Sequence, residues 1–242
     1  MDPRALRVLA DDLTGACDIA TALLPWSGPV VVETHAGAPR PAGAALWVRN
    51  TQSRTLPVAE ARRAVQQAVA DAGAARAVVL KKIDTALRGH LGAELEAAME
   101  AAGAAEVFVL PAIPAVGRTT VGGVQLLDGV PVHRTAFAAD PLHPVDRSEV
   151  AAHVERGSSR RCRVLALEEV RSRARLAAAI ERGREADETV FVCDAVTDDD
   201  LDAALAVLLE RPRPLVLAGS LGLGRALRRR LAVDGSPAER PR

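Results

Sequence analysis

Paired carboxylates, adjacent lysines and glycine-flanked arginines are the groups in this sequence best suited to chemistry. Asp11 and Asp12 directly follow an apolar run, Ala5–Ala10. One carboxylate there can accept a proton from a substrate hydroxyl while the other holds a second hydroxyl or a metal. The competing reading is that Asp12 caps a helix beginning near Thr14. Lys82, Asp84 and Arg88 mix charges in one short segment after the apolar run Ala77–Lys81. Two cations so spaced suit a carboxylate or a phosphate, and arginine can grip a carboxylate through two parallel bonds. Asp84 can order Lys82 or bind sugar hydroxyls; the alternative is a solvated ion cluster. Gly117–Gly123 sets Arg118, Thr119 and Thr120 among three glycines, a loop whose amides and hydroxyls can cradle an anion.

Of the 31 basic residues, only Lys81 and Lys82 are lysines. A composition that uses arginine everywhere else marks this pair as a place where a compact ammonium does what a guanidinium cannot. No Walker-type phosphate loop occurs, and Gly219-Ser220-Leu221-Gly222-Leu223-Gly224 is only loosely glycine-rich before a helix. The histidines lack metal-ligand spacing, with His90 nearest the charged segments, so no metal site is expected.

Groups so far apart in the chain need a scaffold that returns them to one place. Apolar, β-branched runs at Ala5–Ala10, Pro29–Glu33, Ala45–Arg49, Ala77–Lys81, Glu106–Leu110, Arg163–Leu167, Thr189–Cys193 and Pro214–Ala218 read as strands. They are continuous rather than alternating, as in strands covered on both faces. Helical patterns lie between them. In one, Thr55 caps, Pro57 occupies the first turn, and Val58, Ala61, Val65, Ala68 and Val69 recur until Gly73. Others run from Gly92 to Ala102 and from Asp198 to Glu210. The alternation predicts an α/β fold, a mostly parallel β-sheet flanked by helices on both faces. A β-hairpin is expected at residues 124–133, turning at Asp128-Gly129. In such sheets ligands bind beyond the carboxyl ends of the strands. Each charged segment above follows a strand, so all fall on that rim.

Composition narrows the partners. The 31 acidic residues balance the 31 basic ones, leaving no basic footprint for nucleic acid or anionic membrane. Aromatic content of 2%, without tyrosine, leaves no platform for stacking bases. No run of about twenty apolar residues spans a bilayer, and no secretory signal precedes Asp11. Three scattered cysteines fit a reducing, cytoplasmic setting. The polar, proline-rich residues 233–242 read as a flexible tail.

Taken together, the motifs resemble one family. Ala10-Asp11-Asp12-Leu13-Thr14-Gly15-Ala16 is similar to the opening motif of the four-carbon acid sugar kinases, which include D-threonate, D-erythronate and 3-oxo-tetronate kinases. Asn50-Thr51-Gln52-Ser53-Arg54 resembles their N-T-x-S-R segment, and Lys81–His90 their K-K-x-D-S-T-L-R-G-N. Pro111–Thr120, Gly129–Pro131, Thr135 with Asp140-Pro141, and Gly219-Ser220 with Gly222-Leu223 match later motifs in order. The resemblance implies that residues 1–232 form a domain binding a small sugar acid, whose terminal hydroxyl takes the γ-phosphoryl of ATP. It implies Asp12 as catalytic base supported by Asp11. It implies Lys82, Asp84 and Arg88 on the carboxylate and hydroxyls, with Arg118 and Thr119 lining the same cleft. Asn50, Ser53, Arg54, Thr85 and Gly89 join them as substrate-binding candidates, and Ser220 as the nucleotide contact. ATP and Mg2+ would be held mostly by a C-terminal nucleotide-binding domain, expected as a separate chain because the sequence stops soon after Ser220. A homo-oligomer is compatible with this reading. The alternatives are a non-catalytic sugar-acid-binding or regulatory module, or a degenerate remnant. Thr85-Ala86 and His90 depart from the family's usual Ser-Thr and Asn. One physical expectation follows: Asp12, Lys82 and Arg88 share a single cavity.

Overall fold

A computed structural model describes residues 5–27, 29–35, 42–71 and 77–232. The apolar runs form strands β1 (Leu6–Ala10), β2 (Val30–Val32), β3 (Leu46–Asn50), β4 (Val78–Lys82) and β5 (Val107–Leu110). Three short strands follow, β6 (Arg118–Val121), β7 (Val124–Leu127) and β8 (Val130–Pro131), then β9 (Arg161–Leu165), β10 (Glu188–Cys193) and β11 (Leu215–Gly219). Eight of these make one parallel sheet in the order β2-β3-β1-β4-β11-β5-β10-β9. All eight correspond to runs expected from the sequence, with no end displaced by more than two residues.

The helices are α1 (Leu13–Ser27), α2 (Val58–Asp71), α3 (Leu91–Ala102), α4 (Val150–Glu155), α5 (Leu167–Val170), α6 (Arg173–Glu185), α7 (Asp198–Leu208) and α8 (Leu221–Ala232). They cover both faces of the sheet, which is why its strands lack polar alternation. On one face Val8, Leu80, Leu217, Phe108 and Phe191 pack with Ile19 of α1, Leu205 of α7 and Leu227 of α8. On the other, Leu9, Val79, Val109, Val192 and Val216 pack with Val65 of α2 and with Leu95 and Met99 of α3. Helix α2 buries Ala61, Val65, Ala68 and Val69 at the predicted spacing. Thr55 does not cap it; that residue closes a 3-10 turn, Ser53–Thr55, so Val58 starts the helix and stays exposed. Thr197 caps α7, its Oγ1 accepting from the Asp200 amide while Asp200 Oδ2 accepts from the Thr197 amide. Gly73 and the expected tail 233–242 lie outside the described residues.

Two features differ from the sequence reading. The stretch taken as a glycine-rich loop contains β6, since Thr119, Thr120 and Val121 are β-branched and the glycines cluster at its ends. It pairs with β7 to make a three-stranded antiparallel sheet, β6-β7-β8. The expected turn is present, with φ of 49° at Asp128 and 77° at Gly129, but β8 is only two residues before a 3-10 turn begins. An isolated bridge, Thr120 to Ala195, fastens this small sheet beside the large one.

Register determines what meets at the rim. Ala10 lies opposite both Asn50 and Lys82, and Gly219 opposite Lys82 and Leu110. The four central strands and β3 therefore end level, and the segment after each emerges beside its neighbours. No helix among the described residues is long and apolar enough to cross a membrane.

Candidate functional site

The site starts at the end of β1. Asp12 caps α1, with its Oδ1 accepting from the Gly15 amide at 2.7 Å. The capping reading of Asp12 thus holds, and an ion pair adds to it. Arg54 Nη1 donates to Asp12 Oδ2 at 2.6 Å, while Nε and Nη2 grip both oxygens of Asp11 at 2.7 and 3.1 Å. Burial pushes the Asp11 carboxyl up, but Lys81, Arg54 and Lys82 outweigh it and hold Asp11 below the usual carboxylate range. The 50–54 segment aims Arg54. Thr51 donates to the Ala10 carbonyl and shares a 2.7 Å bond with buried Ser53, and the Arg54 amide bonds the Asp11 carbonyl at 3.2 Å. Gly89, at φ 91°, lets its backbone pass close to Arg54 and Asp11, where a side chain would be strained.

Strand alternation sends the two lysines to opposite faces of the sheet. Lys81 is fully buried and pairs with Glu94 of α3 at 2.8 Å. Lys82 emerges on the α1 side, where its Nζ donates to the Ile83 carbonyl at 3.0 Å. The bare Cα of Gly15 makes room for it: an added Cβ would sit 2.6 Å from Asp12 Oδ1 and 3.1 Å from Lys82 Nζ. Burial lowers the Lys82 pKa against the opposing pull of Asp11, Asp84, Asp12 and Asp18. No carboxylate among the described residues lies within ion-pair distance of its ammonium.

Lys82 lines a cavity of about 410 Å³ together with Asp18, Asp84, Thr85, Arg118 and Asp128, and with Leu221 and Leu127 among its apolar walls. Arg118 donates to Thr85 Oγ1 and has no other partner among the described residues. The cavity thus combines two cations with unused donors and three carboxylates. Cations suit a carboxylate on the ligand, and the acidic side chains accept from hydroxyls.

Not every expected residue is there. Arg88 lies behind Asp84, holding both its oxygens at 2.7 and 3.2 Å, and reaches Asp140 at 3.0 Å with its remaining arm. These bonds to Asp84 push the Arg88 pKa up. The expectation of one cavity shared by Asp12, Lys82 and Arg88 is therefore not met: of the three only Lys82 lines it, because Asp12 is drawn to the Gly15 amide and Arg54, and Arg88 is held by Asp84 and Asp140. Asn50 lines a separate crevice of about 100 Å³ near Glu33 and Asp71. Thr119 does not line the main cavity. Ser220 is fully buried, donating to the Ala112 carbonyl and accepting from the Gly222 amide at the start of α8.

The sequence reading did not single out Asp18, and it gave Asp128 only as a turn residue. Asp18 follows Gly15 by three residues on α1, so helical periodicity from the Asp11-Asp12 motif could have found it. Asp194, at the end of β10, is a further organising residue. Its two oxygens accept from the Gly122 and Gly123 amides at 2.6 and 2.8 Å, pinning the β6–β7 turn and so the strand that carries Arg118. Burial raises its pKa.

A family model described as a sugar-binding N-terminal domain matches residues 6–227. The chain belongs to that family. The match agrees with the motifs, which point to the N-terminal domain of the four-carbon acid sugar kinases. D-threonate kinase of Salmonella typhimurium is 36% identical over 222 residues, covering 91% of this chain and 52% of that protein. D-erythronate kinase of Heliobacterium modesticaldum is 35% identical over 155 residues, 63% of this chain and 35% of its own. This sugar-binding domain spans about half the length of the D-threonate kinases it matches. Among solved structures, a Bordetella bronchiseptica domain of unknown function, with bound citrate as a domain-swapped dimer, superposes with a TM-score of 0.80 at 29% identity. The match covers 96% of this chain and 58% of that one. A Haemophilus influenzae protein at 22% identity shares the fold, with a TM-score of 0.83 over 94% of this chain and 56% of its own.

Of the departures from the family motif, Thr85 lines the cavity and keeps a hydroxyl there, whereas Ala86 and His90 lie away from it. Ala86 is buried in the apolar cluster beneath α3, and His90 donates to the Leu56 carbonyl at 2.7 Å and meets His143 edge-on.

Proposed function

We propose that this domain binds a four-carbon sugar acid of the threonate, erythronate or oxo-tetronate class and serves as the substrate half of an ATP-dependent kinase. The observation that carries the reading is the pairing of Lys82 and Arg118, both lacking a carboxylate partner among the described residues, in one cavity with Asp18, Asp84 and Asp128. Lys82 and Arg118 take the ligand's carboxylate; the three aspartates and Thr85 accept from and orient its hydroxyls. The names of the related kinases and the citrate bound by the Bordetella bronchiseptica structure support a hydroxylated carboxylate as ligand. Asp12, beside Lys82, is the candidate base for the hydroxyl that receives phosphate.

Among the described residues no group of three or more His, Cys, Asp or Glu could hold a metal ion. This reading requires a nucleotide-binding domain for phosphoryl transfer, and it gives that domain most of the contacts to ATP and magnesium. A second reading, a binding module without catalysis, draws on Asp12 itself. Both its oxygens already accept, one from Gly15 and one from Arg54, so the carboxylate is engaged by the protein's own donors rather than left open to a substrate hydroxyl.

Isothermal titration of the chain with D-threonate, D-erythronate and acetate tests the binding. Saturable heat with the four-carbon acids, and none with acetate, is expected. Absence of heat with every four-carbon acid removes the reading. Adding a nucleotide-binding half from a related kinase separates the two versions, because ATP-dependent phosphorylation that Asp12→Asn abolishes requires the base.

A further inference from the structure

A second cavity, of about 310 Å³, opens between α1 and α8 and shares Asp18 and Leu221 with the first. Thr21, Ala22, Arg225 and Arg228 complete it. Helix α8 carries several arginines, and their surroundings differ. Arg229 faces α7, where it pairs with Asp202 at 2.8 Å. Arg225 and Arg228 face the cavity and have no hydrogen-bond or ion-pair partner among the described residues. Two like charges three residues apart on a helix repel, and nothing in the cavity wall offsets them except Asp18 at its inner end. Thr21 uses its hydroxyl proton on the Cys17 carbonyl at 2.8 Å, so the two guanidinium groups supply the donors. Planar, multi-donor cations in a recess suit oxyanions, and two of them three residues apart on one helix can each grip a phosphate group through parallel bonds.

We propose that the α1–α8 cavity is a polyphosphate-binding site in which Arg225 and Arg228 hold successive phosphate groups. Its inner end meets the sugar-acid cavity at Asp18 and Leu221, so a phosphate chain lying there points its terminus at the ligand. That the anion is the phosphoryl donor, ATP, rests on the kinase reading above; that it is a polyphosphate rests on the arginines alone. Asp18 is unfavourable to an anion that enters too far, and its carboxylate sets the depth of the chain.

The test is calorimetric titration of the full chain, without metal, with inorganic tripolyphosphate, ATP and D-threonate. Wild type is expected to bind tripolyphosphate and ATP saturably and in competition with one another. The double variant Arg225→Gln/Arg228→Gln is expected to lose about tenfold or more in affinity for both, two charge-assisted contacts being removed, with D-threonate affinity held within about twofold. Asp18→Asn is expected to tighten tripolyphosphate binding, a result that a merely structural Asp18 would not give. A thermal melt of each variant checks folding. Absence of saturable tripolyphosphate binding, or equal affinity in the double variant, overturns the site. Tripolyphosphate binding without competition from ATP overturns the donor assignment. Arginine-dependent tripolyphosphate binding by a chain that ignores D-threonate leaves this site standing and removes the sugar-acid reading instead.

Discussion

Two sets of charges stand on the same rim, and they differ in how completely they satisfy one another. In the first, Arg54 engages Asp11 and Asp12, and Arg88 engages Asp84 and Asp140, through bonds of 2.6 to 3.2 Å. In the second, Lys82 and Arg118 face the cavity with one neutral partner each. Charge density alone does not distinguish them. What does is the count of donors left over once the protein's own acceptors are served. The saturated arginines build the wall; the unsaturated cations are the ones a ligand can recruit.

The comparison is most sharply tested on the two lysines. Lys81→Met leaves Glu94 buried without its partner and is expected to cost about 3–5 kcal/mol of stability, read by chemical denaturation. Lys82→Met is expected to leave the melting temperature unchanged or higher while abolishing D-threonate binding. Binding that survives Lys82→Met breaks the distinction.

Next in size is the arginine contrast. Arg118→Gln is expected to weaken D-threonate binding by about 10- to 100-fold, the loss of one charge-assisted hydrogen bond, with stability preserved. Arg88→Gln is expected to do the reverse, lowering stability more than affinity, because it frees Asp84 rather than removing a ligand contact. Calorimetry beside thermal melts of both variants decides it, and a larger affinity loss in Arg88→Gln would reverse the assignment.

A smaller effect is expected from Asp194→Asn. An amide has one acceptor oxygen for two amides, so either Gly122 or Gly123 loses its bond, at about 1 kcal/mol, and β6 is held less firmly. D-threonate affinity should fall by several-fold at most, with faster amide exchange on β6.

Dependence on pH closes the series. Lys82 must be protonated to meet a carboxylate, and its folded pKa is lowered, so affinity should fall as pH rises through a value below 10.5. Lys82→Arg should flatten that limb. At the acid end Asp140 and Asp200 both sit at about 2. The first is lowered by the His143 amide and then Arg88. The second is lowered by Arg171 and neighbouring amides against the opposing effect of burial. Their stabilisation is complete above pH 3.8 and is lost as pH falls toward 2, a drop that Asp200→Asn should shrink in acid titrations.

The eight parallel strands were legible because burial on both faces writes itself as unbroken apolar runs, and the rim followed from them. Lys82 was legible because it is one of only two lysines, and Arg118 because it stands among glycines and threonines. Three things were not. Strand β6 was hidden by glycines that mark its ends rather than a loop. Asp18 lay one helical turn beyond the motif that should have led to it. The saturation of Arg88 depends on Asp140, distant in sequence, and no local pattern shows that two such residues meet. Ser220 and Asn50 carry family motifs, yet the fold uses the first at the start of α8 and places the second in a separate crevice.

The placement of Lys81 and Lys82 on opposite faces of β4 has a consequence for how the chain finds its pairing. A one-residue slip of that strand would present Lys81 where Lys82 belongs, and the ligand pocket would still display an ammonium. Glu94 prevents the error from going unnoticed, because the slipped strand would bring an uncharged neighbour to a carboxylate sealed in hydrocarbon. The proofreading of the pocket is thus done from the far side of the sheet, by a residue no ligand ever reaches.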